Sequence, residues 1–275
     1  MSPTIRPMTA SDVDAATETV LRGDWGDRRD FFAWAVWHAE AHPFVAVAGG
    51  TVVGTAVGTV NGRAGWIGAV FVDGAWRRRG LGRGLTDAAV RALEATGCAT
   101  LVLVATDAGR PMYERMGFRY DTSYQTIEAP GIAGGKPSLA PWKPADLDAM
   151  ALLDAAATGE DRRHLLRAFA TPDSTRLLRG PGDTLRGFVV RAPWGGGATI
   201  APDAADAGVI LEARRAAAGP ERRVRAGVVT ANRGALARLQ RLGWQEAWQA
   251  PRLIRGEPLD WQPEAIWGQF NHALG

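Results

Sequence analysis

The sequence predicts an α/β (α+β) protein of two domains in tandem, each with a mixed sheet flanked by helices. Three observations indicate this class. Short hydrophobic runs alternate with segments of helical period, a Pro- and Gly-rich segment lies near the middle of the 275 residues, and several short motifs occur on both sides of it. At roughly 100–200 residues per domain, the length is also sufficient for two small domains.

Composition and charge exclude several classes of protein. Hydrophobic residues make up 46% and charged residues 22% of the chain, which is ordinary for a globular protein. The net charge of +3 gives no broad basic field, so we expect no nucleic-acid partner. No uncharged apolar run approaches about 18 residues and no signal-peptide pattern is present, so we expect no membrane contact. Because Cys98 is the only cysteine, a disulfide within the chain and a Cys/His metal cluster are excluded, and we expect a reducing, cytoplasmic location.

Three short motifs occur twice, in the same order. They are Asp-x-Asp-Ala at 12–15 and 146–149, Asp-Arg-Arg at 27–29 and 161–163, and Gly followed by an aromatic residue at 117–118 and 243–244. The first two recur 134 residues later and the third 126 residues later. The segment 129–137 has no hydrophobic period and is rich in Pro and Gly, which predicts a linker. We therefore predict a duplicated domain, with the copies at 1–128 and 138–275.

Hydrophobic period and turn residues place the elements of the first copy. They are helices at 12–21 and 31–38, strands at 44–48, 51–60 and 64–72, a helix at 81–96, a strand at 100–105, a short helix at 111–116 and a strand at 118–127. Asn61-Gly62 between two apolar runs is a strong hairpin signal. The second copy keeps the outline, with strands at 188–192, 198–200 and 224–229 and helices at 205–218 and 232–242.

The most informative segment is 77–84, which covers the end of the turn after the strand at 64–72 and the start of the helix at 81–96. It contains three glycines and four arginines, namely Gly80, Gly82, Gly84, Arg77, Arg78, Arg79 and Arg83. Glycine lets the backbone approach a ligand closely, and the first amides of a helix have no partner within the helix. With the helix dipole and the arginines, these amides suit a pyrophosphate. The alternative is a solvated basic turn before an ordinary helix. A Walker loop and a dinucleotide fingerprint are excluded by the residue pattern.

Two motifs resemble those of the GCN5-related N-acetyltransferase (GNAT) family. One is R-x-x-G-x-G at 77–82, directly after an apolar strand, and the other is Y-x-x-x-G-F at 113–118. The resemblance covers residues 1 to about 128 well and the second copy weakly. It implies mostly antiparallel sheets, acetyl-CoA as cosubstrate with no metal, and transfer of the acetyl group to a primary amine by direct attack in a ternary complex.

The resemblance also implies a role for each residue that matches a motif. Val70, Phe71 and Val72 would pair through their backbones with the pantetheine arm, and Arg78, Arg79, Gly80, Leu81, Gly82, Arg83 and Gly84 would surround the pyrophosphate, with Arg77 at the first position of the motif. Tyr113 would protonate the departing thiolate. Many relatives have Asn seven residues before this tyrosine, whereas this chain has Thr106. A core-facing Tyr113 is the alternative.

The general base is left open by the sequence. Glu18, Asp24, Asp27 and His38 are candidates in the early helices, although each is more readily explained as a surface residue, and a chain of water molecules is a further alternative. The backbone N–H near Val72 is expected to meet the charge that develops on the carbonyl oxygen. The acceptor is open among small amines, aminoglycosides, amino acids and peptide N-termini, because loops define such pockets.

The second copy lacks the chemistry of the first. Leu239 stands where Tyr113 stands, and neither the arginines nor the glycine pair precede the helix at 205–218. We therefore expect a degenerate GNAT-like domain with a structural role, whose aromatic tail at 259–270 packs on the body or on a partner subunit in a homodimer. A non-catalytic acyl-CoA sensor and a purely structural protein are the competing functions.

Overall fold

The computed structural model describes residues 3–23, 25–134, 139–194 and 196–275, which form two compact units. The first unit consists of Met1–Arg119, Leu253–Pro258 and His272–Gly275, and the second of Tyr120–Arg252 and Leu259–Asn271. Both are mixed α/β structures with mostly antiparallel strands, so the predicted fold class is confirmed. No helix in the described part of the chain is both long and apolar enough to cross a bilayer.

The first unit contains five strands and four helices among its described residues. They are β1 (Thr4–Pro7), α1 (Val13–Leu21), α2 (Arg29–Trp37), β2 (Ala41–Ala48), β3 (Thr51–Asn61), β4 (Ala64–Val72), α3 (Leu81–Ala95), β5 (Thr100–Val104) and α4 (Arg110–Glu114). The strands lie in the order β1-β2-β3-β4-β5. Neighbours are antiparallel except β4 and β5, which are parallel because α3 connects them.

The second unit repeats this succession of elements. They are β6 (Arg119–Pro130), β7 (Ala140–Pro141), α5 (Leu147–Thr158), α6 (Arg163–Phe169), β8 (Thr175–Arg179), β9 (Leu185–Arg191), β10 (Gly197–Ile200), α7 (Ala204–Ala218), β11 (Arg223–Val229), α8 (Ala235–Arg241), β12 (Gln245–Gly256) and β13 (Ile266–Gly268). The strand orders are β12-β6-β11 and β13-β10-β9-β8-β7. Hydrophobic period alone did not predict α5, α6 or β8.

The limits of the compact units differ from the predicted ends of the copies. β6 pairs with β11 from Tyr124 opposite Val229 to Pro130 opposite Arg223, so the chain leaves the first unit after Arg119. Ala129 and Pro130, which we predicted to begin the linker, are therefore the last residues of β6. Residues 135–137 of that linker, and residue 138 after it, lie outside the described residues. The domain limits 1–128 and 138–275 stay predictions about the duplication.

The two faces of β4 have different neighbours, and this difference positions the site. A Cβ at Gly65 would lie 3.0 Å from Leu93 Cδ1, so this face packs on α3. On the opposite face, a Cβ at Gly68 would lie 2.3 Å from Ala273 Cβ, because the C-terminal residues return to the first unit there. The Asn61 amide Nδ2 donates a hydrogen bond of 3.0 Å to the Leu274 carbonyl and fixes this segment.

The aromatic segment before it packs on the second unit, as the sequence predicted. Trp267 and Phe270 are buried, and the Trp267 indole Nε1 donates to the Ala201 carbonyl at 3.1 Å. Trp261 lies against the Arg252 guanidinium, 4.4 Å from its ring centroid. The burial of Trp267 and Phe270 thus matches the first of the two expected packings, on the body of the protein.

We expect Asp154→Ala to destabilise the second unit by about 3–5 kcal/mol, because it leaves the Arg162 guanidinium, only 2% exposed, without its carboxylate. Asp148→Ala is the matched control: it breaks the ion pair with Arg163, but the Asp148 side chain is 80% exposed. Urea denaturation should show a large loss for the first variant and almost none for the second. Equal losses would contradict this account of the buried pair.

Candidate active site

The site begins where β4 and β5 separate. Their parallel pairing runs from Ala64 opposite Thr100 to Ile67 opposite Leu103, after which β4 continues to Val72. The register between β3 and β4 shifts in the same stretch, and Ala69 has a φ of +50°. The edge of β4 that faces β5 is therefore unpaired after Ile67 among the residues that the structure describes. An extended ligand can form backbone hydrogen bonds there, as an added strand would.

A buried hydroxyl holds the irregular part of β4. The Thr55 side chain, fully buried in β3, donates a hydrogen bond of 2.7 Å to the Ala69 carbonyl. Ala69 is a non-glycine residue in the left-handed region, a conformation that costs of order 1 kcal/mol. The hydrogen bond offsets part of this cost and so keeps β4 turned away from β5.

The turn after β4 is anchored at its beginning. The Asp73 carboxylate accepts a hydrogen bond from the Ala75 amide at 3.0 Å and forms an ion pair with Arg22 at 2.9 Å. These contacts lower the pKa of Asp73 below its usual value, the hydrogen bond with Arg22 being the largest cause. Arg77 Nε donates to the Val72 carbonyl at 3.0 Å, so Arg77 supports the turn as well as adding charge.

The helix that follows presents free amides at its start. Gly80, with a φ of +80°, is the N-cap of α3, and no side chain caps this helix. The Gly84 amide donates to the Gly80 carbonyl at 2.9 Å. The amides of Leu81, Gly82 and Arg83 have no acceptor within the described residues. Such amides, with the helix dipole, form an anion-binding end.

The predicted arginines surround this helix end. Arg77, Arg78 and Arg79 are exposed, and Arg78 has a φ of +60°. The Arg79 guanidinium lies 4.8 Å from the Trp76 ring centroid, which orients that side chain. Arg83 is also exposed and lies 3.7 Å from Asp87. A diphosphate has the charge and the acceptor oxygens that this group of donors requires.

The three predicted strand residues divide between the two faces of β4. Val70 and Val72 face α3 and α4: a Cβ at Gly82 would lie 3.8 Å from Val72 Cγ2 and 3.6 Å from Met112 Sδ. Phe71 is buried on the opposite face, where its ring packs on Trp25 at a centroid distance of 5.4 Å. The side chains thus hold the strand in place while its backbone edge is open.

Tyr113, a residue of α4, points into the core and packs in a cluster with residues of α3, as the alternative interpretation of this residue predicted. It is 7% exposed, and its ring packs edge-on against Phe118 at 6.2 Å. Burial raises the pKa of Tyr113 to about 12, while the nearby Thr86 hydroxyl acts in the opposite direction. At neutral pH the phenol therefore carries its proton, as a proton donor must. Val70 packs on the same cluster, so Tyr113 lies beside β4.

No side chain among the described base candidates has the setting of a general base. Glu18 is exposed, and Asp27 accepts a hydrogen bond from the Arg29 amide at 2.8 Å, which caps α2. His38 stacks on Trp34 at 4.4 Å, and burial lowers its pKa. Asp24, the fourth candidate, lies outside the described residues.

Sequence reasoning missed one group, the imidazole of His272, on the face of β4 opposite α3. His272 belongs to the C-terminal segment that packs on Gly68, and burial lowers its pKa to about 4. The two residues are about two hundred positions apart, so no local pattern connects them. A glycine inside a strand was the available signal, because it often marks the close approach of another backbone.

The second unit satisfies the corresponding helix end in a different way. Asp203 is the N-cap of α7, and its carboxylate accepts hydrogen bonds from the Ala205 amide at 2.7 Å and the Asp206 amide at 3.2 Å. Leu239, buried in α8, has no hydroxyl where the first unit has Tyr113. A phosphate at α7 would have to displace a carboxylate of the same charge.

Family models match both copies. The model of the acetyltransferase (GNAT) family matches residues 11–118, and the model of an acetyltransferase (GNAT) domain matches residues 150–268. A search of the curated proteins found no match.

Several solved structures share the whole architecture. A protein of Pyrococcus horikoshii assigned as an acetyltransferase is 18% identical with a TM-score of 0.83, over 99% of this chain and 96% of that one. A GCN5-related N-acetyltransferase of Sphaerobacter thermophilus is 16% identical with a TM-score of 0.64, over 94% and 98%. A tandem GNAT protein from the clavulanic acid biosynthesis pathway is 16% identical with a TM-score of 0.62, over 94% and 99%. At these identities the similarity establishes the fold.

The raised pKa of Tyr113 predicts a loss of stability at alkaline pH. The folded state holds this proton more tightly than the unfolded state, so the stabilisation is complete below about pH 10 and is lost as the pH rises towards about 12. Tyr113→Phe should therefore show a smaller decrease in melting temperature than the wild type between pH 10 and 12. Identical profiles for the two proteins would show that Tyr113 is not buried as described.

Proposed function

The chain belongs to the GNAT family of acetyltransferases and is an N-acetyltransferase, and on this premise we propose that its first unit transfers the acetyl group of acetyl-CoA directly to a primary amine in a ternary complex. One observation carries the proposal. The backbone amides at the start of α3 are free and surrounded by arginines, whereas the amides at the start of α7 donate hydrogen bonds to the Asp203 carboxylate. The second unit then has no catalytic role.

The residues of the first unit fit the coenzyme along its length. The open edge of β4 at Val70, Phe71 and Val72 would pair with the amides of the pantetheine arm. The amides of Gly80–Gly84, with Arg78, Arg79 and Arg83, would hold the pyrophosphate. Arg77 would keep the turn in shape through its hydrogen bond to the Val72 carbonyl. When bound, the coenzyme supplies an acetyl group activated as a thioester.

The chain contributes position and charge to the reaction. Holding the amine against the thioester contributes several kcal/mol, about 7–11 at best. The backbone N–H near Val72 is expected to stabilise the negative charge on the carbonyl oxygen. Because none of the described acidic or histidine candidates is placed as a base, we propose that water carries the proton away from the amine.

Tyr113 is the proposed proton donor to the sulfur. A phenol with a pKa of about 12 is a weak acid towards a free thiolate, whose conjugate acid has a pKa of roughly 8.5. The same apolar surroundings would also raise the proton affinity of the departing thiolate, because burial disfavours every charged form. The proton is therefore expected to move as the carbon–sulfur bond breaks.

The carboxylate that caps α7 suggests a test of the proposed pyrophosphate site at the start of α3. We expect Gly80→Asp to weaken CoA binding by about tenfold or more, since it places a negative charge at the helix end. Gly80→Asn is the matched control, with the same shape, a similar tolerance of the left-handed conformation and no charge. Isothermal titration calorimetry measures both. Equal affinities in the two variants would place the diphosphate elsewhere.

A second test distinguishes the enzyme from a non-catalytic acyl-CoA sensor. With acetyl-CoA and a panel of primary amines, free thiol release should be observed for the wild type. Tyr113→Phe should reduce kcat by about 10²–10⁴-fold and leave CoA affinity nearly unchanged. Tight CoA binding with no thiol release for any amine would favour the sensor, and an unchanged kcat in the variant would remove Tyr113 from the mechanism.

A further inference from the structure

Arg28 stands out among the charged groups of the first unit. It is half-buried at the start of α2, and burial lowers its pKa. The charged residues next to it in the chain have other partners. The Asp27 carboxylate accepts a hydrogen bond from the Arg29 amide at 2.8 Å, and the Arg29 side chain forms an ion pair with Asp14 at 2.7 Å. Within the described ranges, no carboxylate lies within ion-pair distance of Arg28 and no acceptor takes its side-chain N–H groups.

The second unit contains the same arginine with a partner. Arg162 is 134 residues after Arg28, and each is the residue directly before a helix, α6 and α2 respectively. The guanidinium of Arg162 forms a two-pronged ion pair with Asp154, with Nε and Nη2 at 2.9 Å and 2.6 Å from the carboxylate oxygens. In the second unit, the arginine at this position therefore binds a carboxylate.

The surroundings of Arg28 and Arg162 also correspond. The residues buried by α2 include Phe31 and Phe32, and those buried by α6 include Leu165 and Leu166, again 134 residues apart. The ion pair between Arg29 and Asp14 likewise recurs between Arg163 and Asp148.

The first unit has the arginine without the carboxylate. The position of Asp154 corresponds to Val20, which is fully buried in α1. The half-buried guanidinium of Arg28 keeps only part of its hydration, and an anion with two oxygens can bind it through two hydrogen bonds.

The location of Arg28 connects it with the acceptor. Arg28 follows the loop in which Trp25 packs on Phe71 of β4, at a centroid distance of 5.4 Å. Its charge also acts on His272, which belongs to the segment that packs on Gly68 of β4. This is the face of β4 opposite α3, and Gly68 directly follows the last residue of β4 that pairs with β5. An amine that approaches the thioester from the face not covered by α3 would therefore pass close to Arg28.

We propose that the acceptor is an amino carboxylate, such as a free amino acid, and that Arg28 binds its carboxylate in the way that Arg162 binds Asp154. This inference rests on the proposed function, since it assigns the substrate class of the same site. The fork of the guanidinium matches a carboxylate through two parallel hydrogen bonds. Because Val20 provides no internal carboxylate, the guanidinium of Arg28 is left for the carboxylate of a substrate.

Pairs of amines that differ only in the carboxylate test the proposal. Phenylalanine is compared with phenethylamine, and leucine with 3-methylbutylamine, by thiol release over a range of pH. We expect R28A to lower kcat/KM for the amino acids about 10- to 100-fold more than for the decarboxylated amines, mainly through KM. R28K, which keeps the charge and loses the fork, should fall between R28A and the wild type.

A reciprocal variant restores the partner found in the second unit. V20D places a carboxylate where Asp154 stands relative to Arg162, so it should compete with amino acid acceptors and reduce their kcat/KM at least about tenfold more than V20N. V20N has the same shape without the charge. If V20D fails to fold, as urea denaturation would reveal, the R28A and R28K comparisons decide the question.

The outcomes separate this proposal from the function on which it rests. Turnover of the decarboxylated amines but not of any amino acid would overturn the amino carboxylate and leave the acetyltransferase intact. An R28A variant that loses equal activity towards both members of each pair would overturn the role of Arg28. Failure of every amine with the wild type would instead remove the proposed function itself.

Discussion

An α-helix leaves its first amides without partners, and the way in which each unit satisfies them determines what that unit can bind. In the second unit the Asp203 carboxylate accepts two of these hydrogen bonds at the start of α7. In the first unit Gly80 offers no side chain, and exposed arginines surround the free amides of α3. The same element of the fold is thus closed by an internal anion in one copy and open to an external one in the other.

A similar contrast occurs at the acceptor side. Arg162 is paired with Asp154, whereas Val20 occupies the corresponding position in the first unit. In both places the second unit supplies from its own chain the negative charge that the first unit lacks. An internal carboxylate matters at such a position because a buried donor without an acceptor costs about 1–3 kcal/mol. The second unit thus satisfies with its own side chains the donors that correspond to those with which the first unit is proposed to bind anions.

Local motifs were sufficient to propose the coenzyme side of the site. The glycines and arginines at 77–84 lie on one continuous stretch, the end of a turn and the start of α3, so their spacing alone brings them together, and the short helix with Tyr113 follows within thirty residues. The burial of Tyr113 was anticipated only as an alternative. The pairing of β6 with β11 and the packing of the C-terminal residues on Gly68 could not be predicted, because contacts between distant residues leave no periodic signal. The significance of Arg28 required the comparison of its surroundings with those of Arg162, since both copies carry the same Asp-Arg-Arg motif.

The central claim, that the free amides of α3 hold the diphosphate, is tested most directly by hydrogen exchange of the backbone amides with and without CoA. Peptides covering 79–86 should exchange more slowly when CoA is bound, because the amides of Leu81, Gly82 and Arg83 then acquire acceptors. Peptides covering 202–209 should be unaffected, since Asp203 already occupies the start of α7. Slower exchange at α7, or no change at α3 under saturating CoA, would contradict the account.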